Sequence, residues 1–127
     1  MSSPSPFADL ENLDAQRIWS GVVGRVVEGE RVTLAVIELD PDSFVPEHSH
    51  ENEQLGVLVS GHLEFRIGDE TRRVGPGGTW SIPANVPHEV RAGPGGAVAV
   101  EVFAPTRADW AALERLEARP RWPGAAE

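Results

Sequence analysis

His48-Ser49-His50-Glu51-Asn52-Glu53-Gln54, followed at a distance by Pro83-Ala84-Asn85-Val86-Pro87-His88, is the part of the chain around which the rest is organised. Successive side chains of a strand alternate faces, so His48 and His50 point one way while Glu47, Ser49 and Glu51 face solvent. Two inward imidazoles at i and i+2 form a chelating pair for a divalent ion. Gln54 follows on the next strand or its leading turn. His88 arrives on a strand from the second half, just after a rigid proline-bounded turn in which Asn85 tolerates a positive φ. His48, His50, Gln54 and His88 are therefore the candidate metal ligands. Four neutral donors leave the full charge on the ion, which makes it a stronger Lewis acid toward an anionic substrate. Imidazole suits zinc, nickel, iron or copper, and the amide oxygen adds a harder ligand. His62 is different: it shares strand parity with Glu64, opposite Leu63 and Phe65, and is expected to face solvent.

Outward from this stretch the chain reads as short strands. Residues 18–27 are rich in β-formers and carry Gly21 and Gly24, which suggests one bent or bulged strand. Residues 32–39 alternate well enough for a half-buried strand. Strands are also expected at 44–48, 54–59, 62–67, 71–74, 80–82, 88–91 and 97–103, with Ser60-Gly61 a turn and residues 93–96 a chain-breaking loop. About ten short strands with turn signals every 8 to 12 residues or so argue an all-β sandwich or barrel. After Pro105 the character shifts. Thr106 is a plausible N-cap, and Trp110, Leu113 and Leu116 stand at helical spacing, so a helix over 106–119 is expected, packed on the outside of the barrel or on a partner subunit. Pro120 stops it. Residues 1–15 form an N-terminal extension with a short helical turn at best, 16–105 the barrel, and 120–127 a loose tail.

The bulk composition narrows the function classes. A chain of 127 residues fits one domain able to bury a core without staples. It has no cysteine, which excludes disulfides, thiolate ligands and cysteine nucleophiles. The formal net charge is −9 and every basic residue is arginine, which disfavours a nucleic-acid partner and removes lysine Schiff-base chemistry. The opening Met-Ser-Ser-Pro-Ser-Pro lacks a signal-peptide pattern, and no apolar run approaches the roughly 20 residues needed to span a bilayer. No membrane partner and a cytoplasmic protein are the expectations.

Residues 44–92 resemble the two motifs of the cupin superfamily. The first appears as His48-x-His50-x3-Gln54-x6-Gly61, with Gln54 where glutamate is usual and Ser43 rather than glycine near the start. The second appears as Gly77-x5-Pro83-x-Asn85-x2-His88, with Asn85 in the place of a glycine and Ala92 in that of the final asparagine. The resemblance implies a small double-stranded β-helix (jelly-roll) barrel with the metal inside, often dimeric. Gln54, the phrase Ile82-Pro83-Ala84-Asn85-Val86-Pro87-His88 and the later Glu101-Val102-Phe103-Ala104-Pro105-Thr106-Arg107 look like the pectin-degradation cupins of the KdgF type, over roughly residues 7–112. That likeness implies a divalent transition metal (nickel, zinc, iron, manganese or cobalt). It also implies a pocket lined by a carboxylate, an aromatic ring and an arginine. Glu101 stands where that group usually has aspartate, one methylene shorter.

Apart from any family, Glu101 and Phe103 have the same strand parity, and Arg107 follows where the chain leaves the barrel. An arginine near a metal cavity can clamp a carboxylate, because its fork matches two oxygens. Glu101 beside an apolar wall can hold a proton near neutral pH and act as general acid–base. The plainer alternative is Phe103 in the core and a simple Glu101–Arg107 ion pair. The KdgF likeness implies opening and tautomerisation of a 4,5-unsaturated uronate to a linear keto-uronate, with Glu101 and Arg107 catalytic and Phe103 and Arg107 binding this small anionic sugar. Two other classes stay open: a metal-dependent dioxygenase or other oxidoreductase, and a non-catalytic sugar-binding barrel. Exposed strand edges and the amphipathic C-terminal helix favour a homodimer.

Overall fold

The computed structural model describes residues 5–124; the first four residues of the expected N-terminal extension and the last three of the tail lie outside the described residues. Among the described residues there are nine antiparallel strands: β1 (Ala15–Trp19), β2 (Val22–Glu28), β3 (Thr33–Leu39), β4 (Phe44–His48), β5 (Glu53–Ile67), β6 (Glu70–Val74), β7 (Thr79–Ile82), β8 (His88–Ala104) and β9 (Arg115–Leu116). Their hydrogen-bonded order is β6-β5-β8-β3-β2-β1-β9, with β4 also on β8 and β7 also on β5. The all-β jelly-roll expectation holds. No helix among the described residues is long and apolar enough to cross a membrane.

β5 and β8 are the two long strands, paired along most of their length and shared between both halves of the barrel. The early half of β8 pairs with β4 and its late half with β3. β5 pairs first with β7 and then with β6. Both expected breaks, at Ser60-Gly61 and at residues 93–96, are bends inside these strands. The register slips between Leu58 and Ser60 and between Gly61 and Leu63, so the inward set changes parity from Gln54 and Leu58 to Leu63 and Phe65. On β8 it changes from His88 and Ala92 to Ala97, Ala99, Glu101 and Phe103. Gly61 (φ +82°) and Gly96 (φ +74°) meet at the bend, where a Cβ on Gly61 would lie 2.0 Å from the Gly96 carbonyl oxygen. A glycine that bends a strand reads in sequence like one that ends it. Conversely, the single bent strand expected over 18–27 is two strands, β1 and β2, with Ser20-Gly21 the turn between them.

The core fills the barrel with Val22, Ile37, Leu39, Val45, Leu58, Leu63, Phe65, Ile82 and Ala99 among others. His62 and Glu64 are exposed, as their parity predicts.

The C-terminal segment departs from expectation. In place of a helix over 106–119 there is one 3-10 turn, Ala108–Ala112, and then β9, which pairs with β1. The physical reason is capture of the carbonyls an α-helix would need: Gln16 Nε2 donates to the Trp110 carbonyl at 2.9 Å, and the Arg17 amide to that of Glu114 at 2.9 Å. A helix this short is marginal without packing, so these sheet bonds win. The tail is not loose as far as Arg121. Arg25, only 1% exposed, reaches Glu38 (3.4 Å) and the Ala118 carbonyl (2.5 Å), while Glu38 accepts from the Arg121 amide (2.7 Å) and Nε (3.1 Å).

Candidate metal centre

His48 ends β4 and His88 begins β8, and the two are cross-strand partners. His50 lies two residues past the end of β4, so strand alternation is not what aims it inward. Its turn is pinned instead: Asn52 Nδ2 donates to the carbonyls of Pro105 (2.6 Å) and Thr106 (3.2 Å), and the Asn85 amide donates to the His50 carbonyl at 2.8 Å. Asn85 does take the positive φ its turn requires, +65°. The outcome is the expected convergence. One ligand nitrogen from each of His48, His50 and His88 lies within 4.8 Å of the others.

The hydrogen bonds set the tautomers. Each Nδ1 sits 2.9 Å from a backbone carbonyl, Pro46 for His48, Asn52 for His50 and Val86 for His88, and so carries the proton. Every Nε2 is then left with a lone pair available to a ligand. His88 Nε2 is buried with no partner. His50 Nε2 lies 3.0 Å from Gln54 Oε1. The Gln54 amide is oriented by its own Nε2, which donates to Glu101 at 2.7 Å, so a lone-pair nitrogen and a carbonyl oxygen face each other. Such a juxtaposition is repulsive unless a cation, a proton or a metal ion, lies between the two. Burial pushes the His88 imidazole down to about 4 and lowers that of His50, with the Arg107 charge assisting in both. Near neutral pH these two rings are uncharged and ready as ligands. The donor set of three imidazoles and an amide oxygen fits a divalent transition ion.

Glu101 is fully inside. Its Oε1 accepts both from Gln54 and from Trp80 Nε1 (2.9 Å), and burial raises its carboxyl above the usual range while those two hydrogen bonds and Arg107 pull it down. Among the described residues its Oε2 takes no hydrogen bond. Trp80, Gly56 and Glu101 stand in one cross-strand row. The indole lies across Gly56, where a Cβ would be 2.3 Å from it. The absent side chain on the middle strand is what lets Trp80 reach Glu101.

Arg107 does not pair with Glu101. Its Nε and Nη2 bind the two oxygens of Asp109 (3.1 and 3.0 Å), and its guanidinium carbon lies over the rings of Phe103 (4.9 Å) and Trp110 (4.4 Å). Trp110, expected on the outside or against a partner, is buried edge-on against Phe103 with ring centroids 5.1 Å apart. All seven residues singled out in the sequence, His48, His50, Gln54, His88, Glu101, Phe103 and Arg107, line one cavity of about 240 Å³. Most of its remaining wall is hydrocarbon, with Trp19, Leu39, Val45, Leu63 and Phe65 prominent. Trp80, Asn52 and Asp109 were not singled out. Asn52 and Trp80 act through pairings that spacing along the chain does not reveal, and only Asp109, two residues from Arg107, had a local signal.

Comparison with known proteins agrees with the fold. Residues 35–103, more than half of the chain, match the Cupin_2 family, a cupin domain. The chain is a cupin. An RmlC-like cupin from Shewanella frigidimarina NCIMB 400 superposes with a TM-score of 0.77 at 20% identity, over 86% of this chain and 98% of that one. KdgF from Halomonas sp. superposes with a TM-score of 0.70 at 24% identity, over 76% and 91%. At these identities both show the shared fold. Among curated proteins, H2HPP isomerase of Bacillus subtilis is 38% identical over 52 residues, which is 40% of this cupin and 22% of that protein's length.

Proposed function

We propose that this cupin is a metal-dependent isomerase of a small carboxylate, and that a 4,5-unsaturated uronate is its substrate. The observation that carries the reading is Glu101: a buried carboxyl with one oxygen fixed by Gln54 and Trp80 and the other unbonded in a cavity that Arg107 also lines. A bound divalent ion, held by His48, His50, His88 and Gln54, would supply Lewis acidity toward a developing oxyanion. Arg107 holds the carboxylate. Glu101 takes the proton of the anomeric hydroxyl as the ring C–O bond at that carbon breaks and its electron pair passes to the ring oxygen, leaving an enolate; Glu101 then returns that proton to the far carbon of the double bond, and the enolate oxygen becomes the keto group. The net change is an isomerisation with no redox step. The hydrocarbon walls exclude water from the enolate. That the Bacillus subtilis relative is an isomerase supports the reaction class, and the motif resemblance supports the sugar.

Those hydrocarbon walls favour a second substrate reading, a carboxylate with few hydroxyls undergoing the same proton shift. Incubation of the metal-loaded protein with 4,5-unsaturated galacturonate separates the two, because loss of the enol-ether absorbance reports the sugar reaction. Turnover that vanishes in Glu101→Gln, with binding retained, supports the assignment; equal turnover in that variant sinks it.

A homodimer is proposed as well. Val27, Leu34, Val102 and Leu55 form an in-register apolar row on the outer face of the sheet, with Val27 52%, Leu34 37% and Leu55 47% exposed. Sedimentation of Leu34→Glu should give a monomer where the native chain gives a dimer.

A further inference from the structure

The Arg107–Asp109 pair has a feature that the proposed reaction does not use. Asp109 takes one edge of the guanidinium through Nε and Nη2, and among the described residues Nη1 takes no hydrogen bond. Both side chains line the metal cavity. Asp109 is 63% exposed in its side chain while Arg107 is only 11% exposed, so the acid stands on the solvent side of the base.

Arg107 does not need Asp109 to hold its place. Its guanidinium already lies over Phe103 and Trp110, and its backbone amide donates to Thr33 Oγ1 at 2.9 Å. What Asp109 adds is a negative charge beside the arginine that, among the described residues, lines the cavity. Without it, a neutral ligand set carrying an undiminished dication, with a free arginine beside it, would attract any small anion.

We infer that Asp109 is a resident carboxylate that holds down the affinity of Arg107 for anions, so that the cavity retains only carboxylates that also bind at the metal and excludes simple ones. This rests on the reading of Arg107 as the carboxylate clamp. An ion pair whose acid stands in solvent is worth little, so a ligand tethered at a second point can outcompete it or share the guanidinium, whereas a free monodentate anion gains too little.

The test is calorimetric binding of acetate and of D-galacturonate to the metal-loaded protein at constant ionic strength, with galactose as the uncharged control. Asp109→Asn keeps an oxygen acceptor for Arg107 and removes the charge. Acetate should bind about two- to fivefold more tightly to it, and galactose should be unchanged. In Arg107→Ala the anions should bind more weakly, and adding Asp109→Asn to that background should restore less than half of the gain. Weaker or unchanged acetate binding in Asp109→Asn, with Arg107→Ala still impaired, overturns the inference and makes Asp109 a positioning residue or a bystander. If Arg107→Ala itself leaves anion binding unchanged, the clamp reading fails, and the inference with it.

Discussion

Replacing Gly56 by alanine tests the Trp80–Glu101 arrangement without touching a ligand. The new Cβ would lie 2.3 Å from both Cε2 and Nε1 of Trp80 and 2.5 Å from Cζ2, far inside contact distance, so the indole must move by more than an ångström. A hydrogen bond of 2.9 Å from that same Nε1 to Glu101 does not survive such a shift. Overpacking costs about 1–3 kcal/mol. Loss of a donor to a buried carboxyl adds about 1–3 kcal/mol. The sum, about 2–6 kcal/mol, corresponds to a fall of roughly 8–20 °C in Tm for a domain of this size. Tryptophan fluorescence should shift as the ring leaves its site, and the Glu101 carboxyl should rise further because one of the bonds holding it down is gone. Metal content should stay near that of the native protein, since no ligand moves. Trp80→Phe combined with Gly56→Ala should cost less than the sum of the two single changes, because both act on one contact. Native stability and unmoved fluorescence in Gly56→Ala would refute the claim that the glycine exists to admit the indole.

The depressed His88 pKa has a signed consequence for the metal-free protein. The unfolded chain takes up the His88 proton near pH 6.5 and the folded one only near 4, so this contribution is present above 6.5 and is lost as pH falls through that window. The stability gap between native and His88→Gln should therefore shrink by about 3 kcal/mol between pH 7 and 4 in denaturant titrations, and a constant gap would contradict it. Gln54→Glu would set a second carboxyl 2.7 Å from Glu101 and add negative charge at the centre, so metal should be retained while galacturonate binds more weakly. Tighter binding by calorimetry would count against the Lewis-acid reasoning.

The convergence of these candidate ligands was legible because His48, His50 and Gln54 are close in sequence and His88 follows a turn with its own signature. Glu101, Phe103 and Arg107 were singled out by the motif resemblance, and parity along one strand with a chain exit is compatible with their lining one cavity. What escaped depends on register between strands. Trp80 meets Glu101 only because β7, β5 and β8 lie side by side with Gly56 in the middle row. The strand-alternation reason for His50 was not the operating one; its position comes from Asn52 and the carbonyls of Pro105 and Thr106. Gly61 and Gly96 looked like turns because the same φ serves a bend within a continuing ladder. The helical spacing of Trp110, Leu113 and Leu116 was outweighed by pairing with β1, which drew Trp110 over the cavity and brought Asp109 to Arg107.

The proposed reaction rests on a metal centre at which one nitrogen each of His48, His50 and His88 lies within 4.8 Å of the others, with the Gln54 amide oxygen 3.0 Å from His50. Titration of chelator-stripped protein with nickel or zinc at pH 7 addresses that directly. One ion per chain should bind to the native protein and raise its Tm, and binding should be lost or greatly weakened in His88→Ala, whose partner-less nitrogen is the deepest of the set. Equal binding by the two proteins, or none by either, would contradict the metal centre.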